Sequence, residues 1–244
     1  MKFFITIIVV FFSIRQSECQ IAQPANYQDP VSSEDTLAIN AYKRLMNHSY
    51  DLINGREYIP YHNPHQSNPF FKSPTFCSGT GYFNGRTYND LKILYDIYKD
   101  ELVINYLNFD GHLTLICLNK NCIDSFEIKV DDITARFQFI SFTPDSHMKN
   151  SFYEVPYNGK TRLLIRHTKS YTQLDGKDLY NYHIYRYLYI NGSYFRITTL
   201  SKFCKLFGDK KSILRKYIIS FNIPSFRKIS DSDLLQILRY YETI

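Results

Sequence analysis

The stretch Gly79–Leu107, GTGYFNGRTYNDLKILYDIYKDELVINYL, decides the fold class. It reads as strand, turn, strand, turn, strand. Asn84-Gly85 sits between Gly81-Tyr82-Phe83 and Arg86-Thr87-Tyr88. A two-residue hairpin turn of type I′ needs positive φ at both central positions, and Asn-Gly meets that demand at low steric cost. Lys99-Asp100-Glu101 forms a second, charged turn between the runs that start at Leu91 and Leu102.

The same grammar extends outward in both directions. Asn-Gly recurs at 54-55, 158-159 and 191-192, and Asp-Gly occurs at 110-111 and 175-176. Alternating or apolar runs at His112–Leu118, Ser125–Val130, Ala135–Ser141, Leu163–Thr168, Asn181–Ile190 and Ser193–Thr199 read as successive strands. No fixed period links them, which argues against a propeller or solenoid. The expected architecture is mainly β (α+β): an antiparallel β-meander forming a curved sheet or open barrel. An N-terminal helix near 34–48 is expected after a Ser32/Asp35 capping box. Past Thr199 the period changes from two to 3.6. Leu200, Phe203 and Leu206 suggest a helical turn, and Ile213, Leu214, Tyr217, Ile218 and Phe221 mark an amphipathic helix stopped by Pro224. Ser230 and Asp233 form a capping box ahead of Leu234, Leu235, Leu238 and Tyr241, so a helical pair is expected to close the chain and pack on the sheet.

Composition narrows the class of function. The 244 residues carry a formal charge of +6 with no dense basic run, which excludes nucleic acid as a partner. Aromatics reach 17%, with 22 Tyr, 19 Phe and no Trp, a bias that suits half-buried pleated surfaces. Met1-Lys2 followed by FFITIIVVFFSI and then Arg15–Gln20 reads as a secretory leader, 1–19, cleaved after Cys19. The apolar run is too short to span a bilayer, so no membrane span is expected in the mature chain. The rival reading is a lipoprotein leader with Cys19 acylated, and Glu18 before the cysteine argues against it. Residues 20–33 then form a loose polar leader, 34–199 the helix and β domain, and 200–244 the helical segment. Export permits disulfides, and Cys117 and Cys122 bracket a short turn, so a local bridge between them is one expectation and four free thiols the other.

Few residues suggest chemistry. His62-x-x-His65 with Cys77 has the look of a metal site, but Pro60 and Pro64 make a helix poor there, and a proline-pinned loop explains the pattern better. Asp96, Asp100 and Glu101, and the pair Asp131-Asp132, are acidic clusters that turns account for. No catalytic, cofactor-binding or metal residues are assigned and no cofactor is expected. In Asn181–Tyr189 one face carries Tyr182, Ile184, Arg186 and Leu188, and the other His183, Tyr185, Tyr187 and Tyr189. The strand's tyrosines Tyr182, Tyr185, Tyr187 and Tyr189 make the candidate ligand surface, unless neighbouring helices cover them.

Asn54-Gly55-Arg56-Glu57-Tyr58, Tyr88-Asn89-Asp90-Leu91 with Leu94-Tyr95-Asp96, Phe152-Tyr153-Glu154-Val155 with Tyr157-Asn158-Gly159-Lys160, and Phe207-Gly208-Asp209-Lys210-Lys211 resemble a family of uncharacterised exported proteins of Bacteroidetes. These motifs are turns and helix starts. They imply a compartment (periplasm, outer-membrane surface or exterior) and no activity. The expectation is a non-enzymatic envelope binding module with an apolar, glycan or protein ligand on its curved sheet. A structural or assembly subunit of an envelope complex is the second reading. A glycan or peptide hydrolase using Asp96, Asp100, His62 or His65 is the third.

Overall fold

Eleven strands form one antiparallel sheet in the computed structural model, which describes residues 55–61, 67–107, 111–141, 148–221 and 229–244. The strands are β1 (Arg56–Glu57), β2 (Cys77–Phe83), β3 (Arg86–Asp96), β4 (Glu101–Leu107), β5 (Leu113–Cys117), β6 (Ile123–Val130), β7 (Ile133–Ile140), β8 (Ser151–Asn158), β9 (Arg162–Leu174), β10 (Lys177–Ile190) and β11 (Ser193–Arg196). Three helices follow: α1 (Leu200–Lys205), α2 (Lys211–Ser220) and α3 (Asp231–Thr243). The expected helix near 34–48, the leader and the His62/His65 pair lie outside the described residues. None of the helices described is long and apolar enough to cross a membrane.

Three of the anticipated turns take the anticipated form. Asn84 and Gly85, Asp175 and Gly176, and Asn191 and Gly192 all have positive φ, the type I′ signature. They join β2 to β3, β9 to β10 and β10 to β11. Asn158-Gly159 does not follow them. Neither residue is among those with positive φ. The pairing of β8 with β9 shifts register between Glu154 and Tyr157, around Pro156.

The strand order is β1-β5-β4-β3-β2-β6-β7-β8-β9-β10-β11. The sheet is therefore two meanders sewn together, not one. After β5 a 3-10 turn, Lys120–Cys122, carries the chain to the free edge of β2, where β6 pairs. Gly79 permits this seam, because a Cβ there would lie 2.3 Å from the carbonyl oxygen of Glu127 on β6.

The sheet curls without closing. Side chains from β3 through β8 meet in one core that includes Ile93, Tyr95, Leu102, Phe126, Phe137 and Phe152. Tyr95 on β3 packs edge-on against Phe152 on β8, with ring centroids 5.8 Å apart, although β2, β6 and β7 lie between those strands. Phe71, from the segment leading into β2, adds itself to this core. The concave side is thus filled by the protein's own aromatics.

A second core joins Leu163 and Ile165 of β9 and Leu188 and Ile190 of β10 to Phe203, Leu214, Leu234, Ile237 and Leu238 of the three helices. α3 starts with the anticipated capping box, Ser230 and Asp233 each accepting from the other's backbone N–H. The expected cover of the sheet by C-terminal helices is present, but it lies on the face of β10 that carries Leu188.

Candidate functional site

The β9–β10 hairpin runs past the helices, and its far half meets the turn between β3 and β4. That meeting point is built on Asp96, the last residue of β3, which is fully buried. A buried carboxylate is costly unless several donors satisfy it. Asp96 Oδ1 accepts from the N–H groups of Tyr98 (3.0 Å) and Lys99 (2.9 Å). Its Oδ2 accepts from the hydroxyls of Tyr58 (2.9 Å) and Tyr61 (2.7 Å). Burial, reinforced by Asp96, pushes both phenols well above their ordinary range, so they remain donors. The Lys99 ammonium lies 4.3 Å over the Tyr61 ring and 5.0 Å over that of Tyr58.

Around this hub the tyrosines of the hairpin collect. Tyr180 of β10 packs edge-on against Tyr61 (5.7 Å) and Tyr98 (5.5 Å), and Tyr171 of β9 lies 5.5 Å from Tyr180. Burial raises the Tyr180 phenol to about 12. Ser67 clasps the backbone of Tyr180, accepting from its N–H at 2.8 Å and donating to its carbonyl at 3.3 Å. Lys169 of β9 donates to the carbonyl and side chain of Asn68, and burial lowers its pKa while Asp96 partly restores it.

A second polar group is embedded one step along the same face. His167 of β9 is only 4% exposed, with its ring 4.9 Å from that of Phe71. Its Nε2 lies 2.6 Å from Glu154 Oε2 on β8, and its Nδ1 meets the hydroxyl of Tyr182 on β10. The carboxylate selects the tautomer with the proton on Nε2, so Nδ1 accepts from the Tyr182 O–H. Burial, then Glu154, raises the Tyr182 phenol, which keeps that proton in place. The chain Glu154–His167–Tyr182 links β8, β9 and β10 and fixes the Tyr182 ring.

The four tyrosines singled out on β10 do not share a surface. Tyr182 points to the His167 side. Tyr187 is buried on the opposite side with Met148, Tyr153 and Leu164, where Tyr185 and Tyr194 also pack. Tyr189 lies against Tyr194 at 4.7 Å. The side chains beside Tyr187 on that face come from Met148 and from neighbouring strands of the same sheet, not from the helices.

Among the described residues the four cysteines, Cys77, Cys117, Cys122 and Cys204, are free thiols. The Cys117–Cys122 bridge does not form. Cys117 is turned into a cluster with Tyr58, Phe70, Leu94 and Val103, while Cys122 ends the 3-10 turn beyond it. Burial, with Glu101 next, raises the Cys117 thiol to about 11, so it stays protonated at neutral pH. A cleft of about 440 Å³ borders it, lined by Arg56, Lys99, Asp100, Glu101 and Lys120. The charges there are mostly spent on one another: Arg56 pairs with Glu101 and Lys120 with Asp100. Asp100 also accepts from the Tyr95 hydroxyl at 2.7 Å. Asp96 and Asp100 are thus occupied as structural acceptors. Among the described residues no group of three or more His, Cys, Asp or Glu is placed to hold a metal.

Tyr61, Tyr98, Tyr171, Tyr180 and His167 were not marked by any sequence pattern, and Tyr58 and Glu154 stood only in the motifs of the resemblance, with no role assigned. The available signal was Asp96 itself, a carboxylate at the end of the apolar run Ile93-Leu94-Tyr95. Comparison of the chain with protein-family models, with curated proteins and with solved structures gives no match.

Proposed function

We propose that this protein is an exported, non-enzymatic binding module of the cell envelope that recognises its ligand with the far half of the β9–β10 hairpin. One observation carries the reading. Tyr98, Tyr171 and Tyr182 leave 41%, 43% and 45% of their surface open, yet each is fixed by a polar or aromatic partner behind it. Tyr182 is held by His167, Tyr171 donates to Asp178 at 2.7 Å, and Tyr98 is wedged against Tyr61 and Tyr180. Rigid aromatic rings bind with little entropy loss, and their hydroxyls add directional contacts. The polar networks at Asp96 and His167 serve orientation, since their acidic and phenolic members are fully engaged. The concave side is filled by Phe71, Phe126 and Phe137.

The test is a pull-down of the tagged mature protein from its own envelope fraction in mild detergent, read by proteomics and lipidomics. A stoichiometric companion is expected, and the double substitution Tyr98→Ala/Tyr171→Ala should remove it. Recovery of the same companion by the double variant, or of none by the wild type, overturns the reading.

A further inference from the structure

Among the described residues, nothing pairs with the middle of the outer edge of β10. β11 covers only Tyr187–Ile190 of this strand. The hairpin geometry fixes which backbone groups face outward. Ile190 and Ser193 flank the two-residue Asn191-Gly192 turn and so form a hydrogen-bonded pair, which directs the even-numbered residues of β10 away from β9. The bond from Ile197 N–H to the Arg186 carbonyl, 2.9 Å, and the grip of Ser67 on Tyr180 obey the same parity. Between those two points the outward N–H and C=O groups of Tyr182 and Ile184 have no partner among the described residues. The gap from Tyr180 to Arg186 is about 20 Å at the usual rise per residue, room for a strand of about five residues. Its exposed flank is apolar: Tyr182, locked by His167, and Ile184, 38% exposed.

One end of this slot opens into a pocket of about 330 Å³ lined by Ile184, Arg186, Arg196, Thr198 and Ile229. The Thr198 hydroxyl oxygen is buried there without a hydrogen-bond partner. Arg186 is committed to Asp231 at 2.6 Å, but Arg196 faces only the ring of Tyr185, 4.8 Å from its Cζ, and no carboxylate among the described residues. An orphaned hydroxyl beside an unpaired guanidinium is suited to a carboxylate. The slot also stops here, because Ile197 already occupies the Arg186 carbonyl. A chain added along the edge must end at this point.

We propose that the partner is an extended peptide segment of another protein, which adds to the bare edge of β10 as a strand and places its C-terminal carboxylate against Arg196 and Thr198. The proposal rests on the binding-module reading and supplies its partner chemistry. The outward parity means the peptide pairs with Tyr182 and Ile184 while the ladder to β9 is untouched. Its alternate side chains lie beside Tyr182 and Ile184, so β-branched or aromatic residues are favoured there.

The experiment is fluorescence polarisation with a pool of N-terminally labelled hexapeptides, randomised among Val, Ile, Thr and Tyr at the last four positions, prepared as free acid and as carboxamide. The free-acid pool is expected to bind saturably, and the amide at least tenfold more weakly. Arg196→Gln should lower the free acid to the level of the amide and leave the amide unchanged. Ile184→Pro removes one outward N–H without touching the β9 ladder, and should weaken both. Equal binding of acid and amide, or no binding of the acid below about 1 mM, overturns the proposal. If the peptides fail while the envelope companion still depends on Tyr98 and Tyr171, the strand proposal falls alone; if that companion is absent too, the binding-module reading falls with it.

Discussion

The two halves of the β9–β10 hairpin are one pair of strands under different rule. In the inner half Leu163, Leu164, Ile165 and Leu188 are wholly buried, with helices on one face and Tyr153 on the other. In the outer half Ser170 through Leu174 are exposed, and so are Asn181 to Ile184. The inner half is held by apolar area, the outer half by directional contacts: Ser67 on Tyr180, Lys169 on Asn68, Tyr171 on Asp178. Apolar burial gives stability without demanding orientation. Hydrogen bonds and ring contacts give less net stability but fix where each tyrosine points. A surface that recognises a partner needs the second property.

The sharpest way to break this contrast is truncation in the inner half. Leu188→Ala removes a fully buried side chain from between β10 and the helices, and should cost about 3–5 kcal/mol in denaturant unfolding. A loss under about 1 kcal/mol would mean that the helices are not anchored there.

Asp96→Ala attacks the hub of the outer half. It leaves the buried Tyr58 phenol, the half-buried Tyr61 phenol and two turn N–H groups without their acceptor, and should cost about 3 kcal/mol. The variant should also free Tyr180 and Tyr98, seen as faster hydrogen exchange in β3–β4 and the hairpin tip while α1–α3 stay protected. Uniform loss of protection would erase the distinction between the halves.

How much of this was legible depended on distance along the chain. The turns at Asn84-Gly85, Asp175-Gly176 and Asn191-Gly192, and the cap at Ser230, were readable because each is a local demand on φ or on one N–H. The seam between β2 and β6 is non-local, and no residue pattern announces which edge a strand will choose. The Asp96 hub joins residues 38 and 35 positions away, and Glu154–His167–Tyr182 spans three strands. Asn158-Gly159 looked like its counterparts, but the register shift at Pro156 placed Gly159 under Glu242, which accepts from Thr161 N–H at 3.3 Å. The tyrosines of β10 were visible one by one, and the two-residue period already put Tyr182 on the face opposite Tyr185, Tyr187 and Tyr189; grouping the four as one surface went against it.

The phenols give a pH test of intermediate size. Tyr58 and Tyr61 are raised by burial and by Asp96, and Tyr95 and Tyr153 by burial first. A phenol that holds its proton more tightly when folded stabilises the fold fully below the unfolded value of about 10. Above that pH the unfolded chain loses the proton first, so stability should fall with rising pH. The Tm measured from pH 8 to 11 should decline beyond about pH 10. Tyr61→Phe should cost about 1 kcal/mol at neutral pH, one hydrogen bond, and flatten the decline. A Tm that stays level through pH 11 would show that these phenols ionise no more readily unfolded than folded.

The smallest effect on stability is expected at the hairpin tip, and it separates holding a shape from using it. Leu174 is 58% exposed, and Tyr171 has only an exposed bond to Asp178 and ring contacts to lose. Leu174→Ala should move the unfolding free energy by less than about 0.5 kcal/mol, within the range of ordinary surface changes. Tyr171→Ala should cost less than about 1 kcal/mol, because an exposed hydrogen bond exchanges readily with water. The same Tyr171→Ala change should nevertheless reduce capture of the envelope companion several-fold, since it removes one of three fixed rings. If stability and capture fall together in proportion, the outer half is simply the weaker end of one fold. If capture falls alone, its rings are held in place for something outside the molecule.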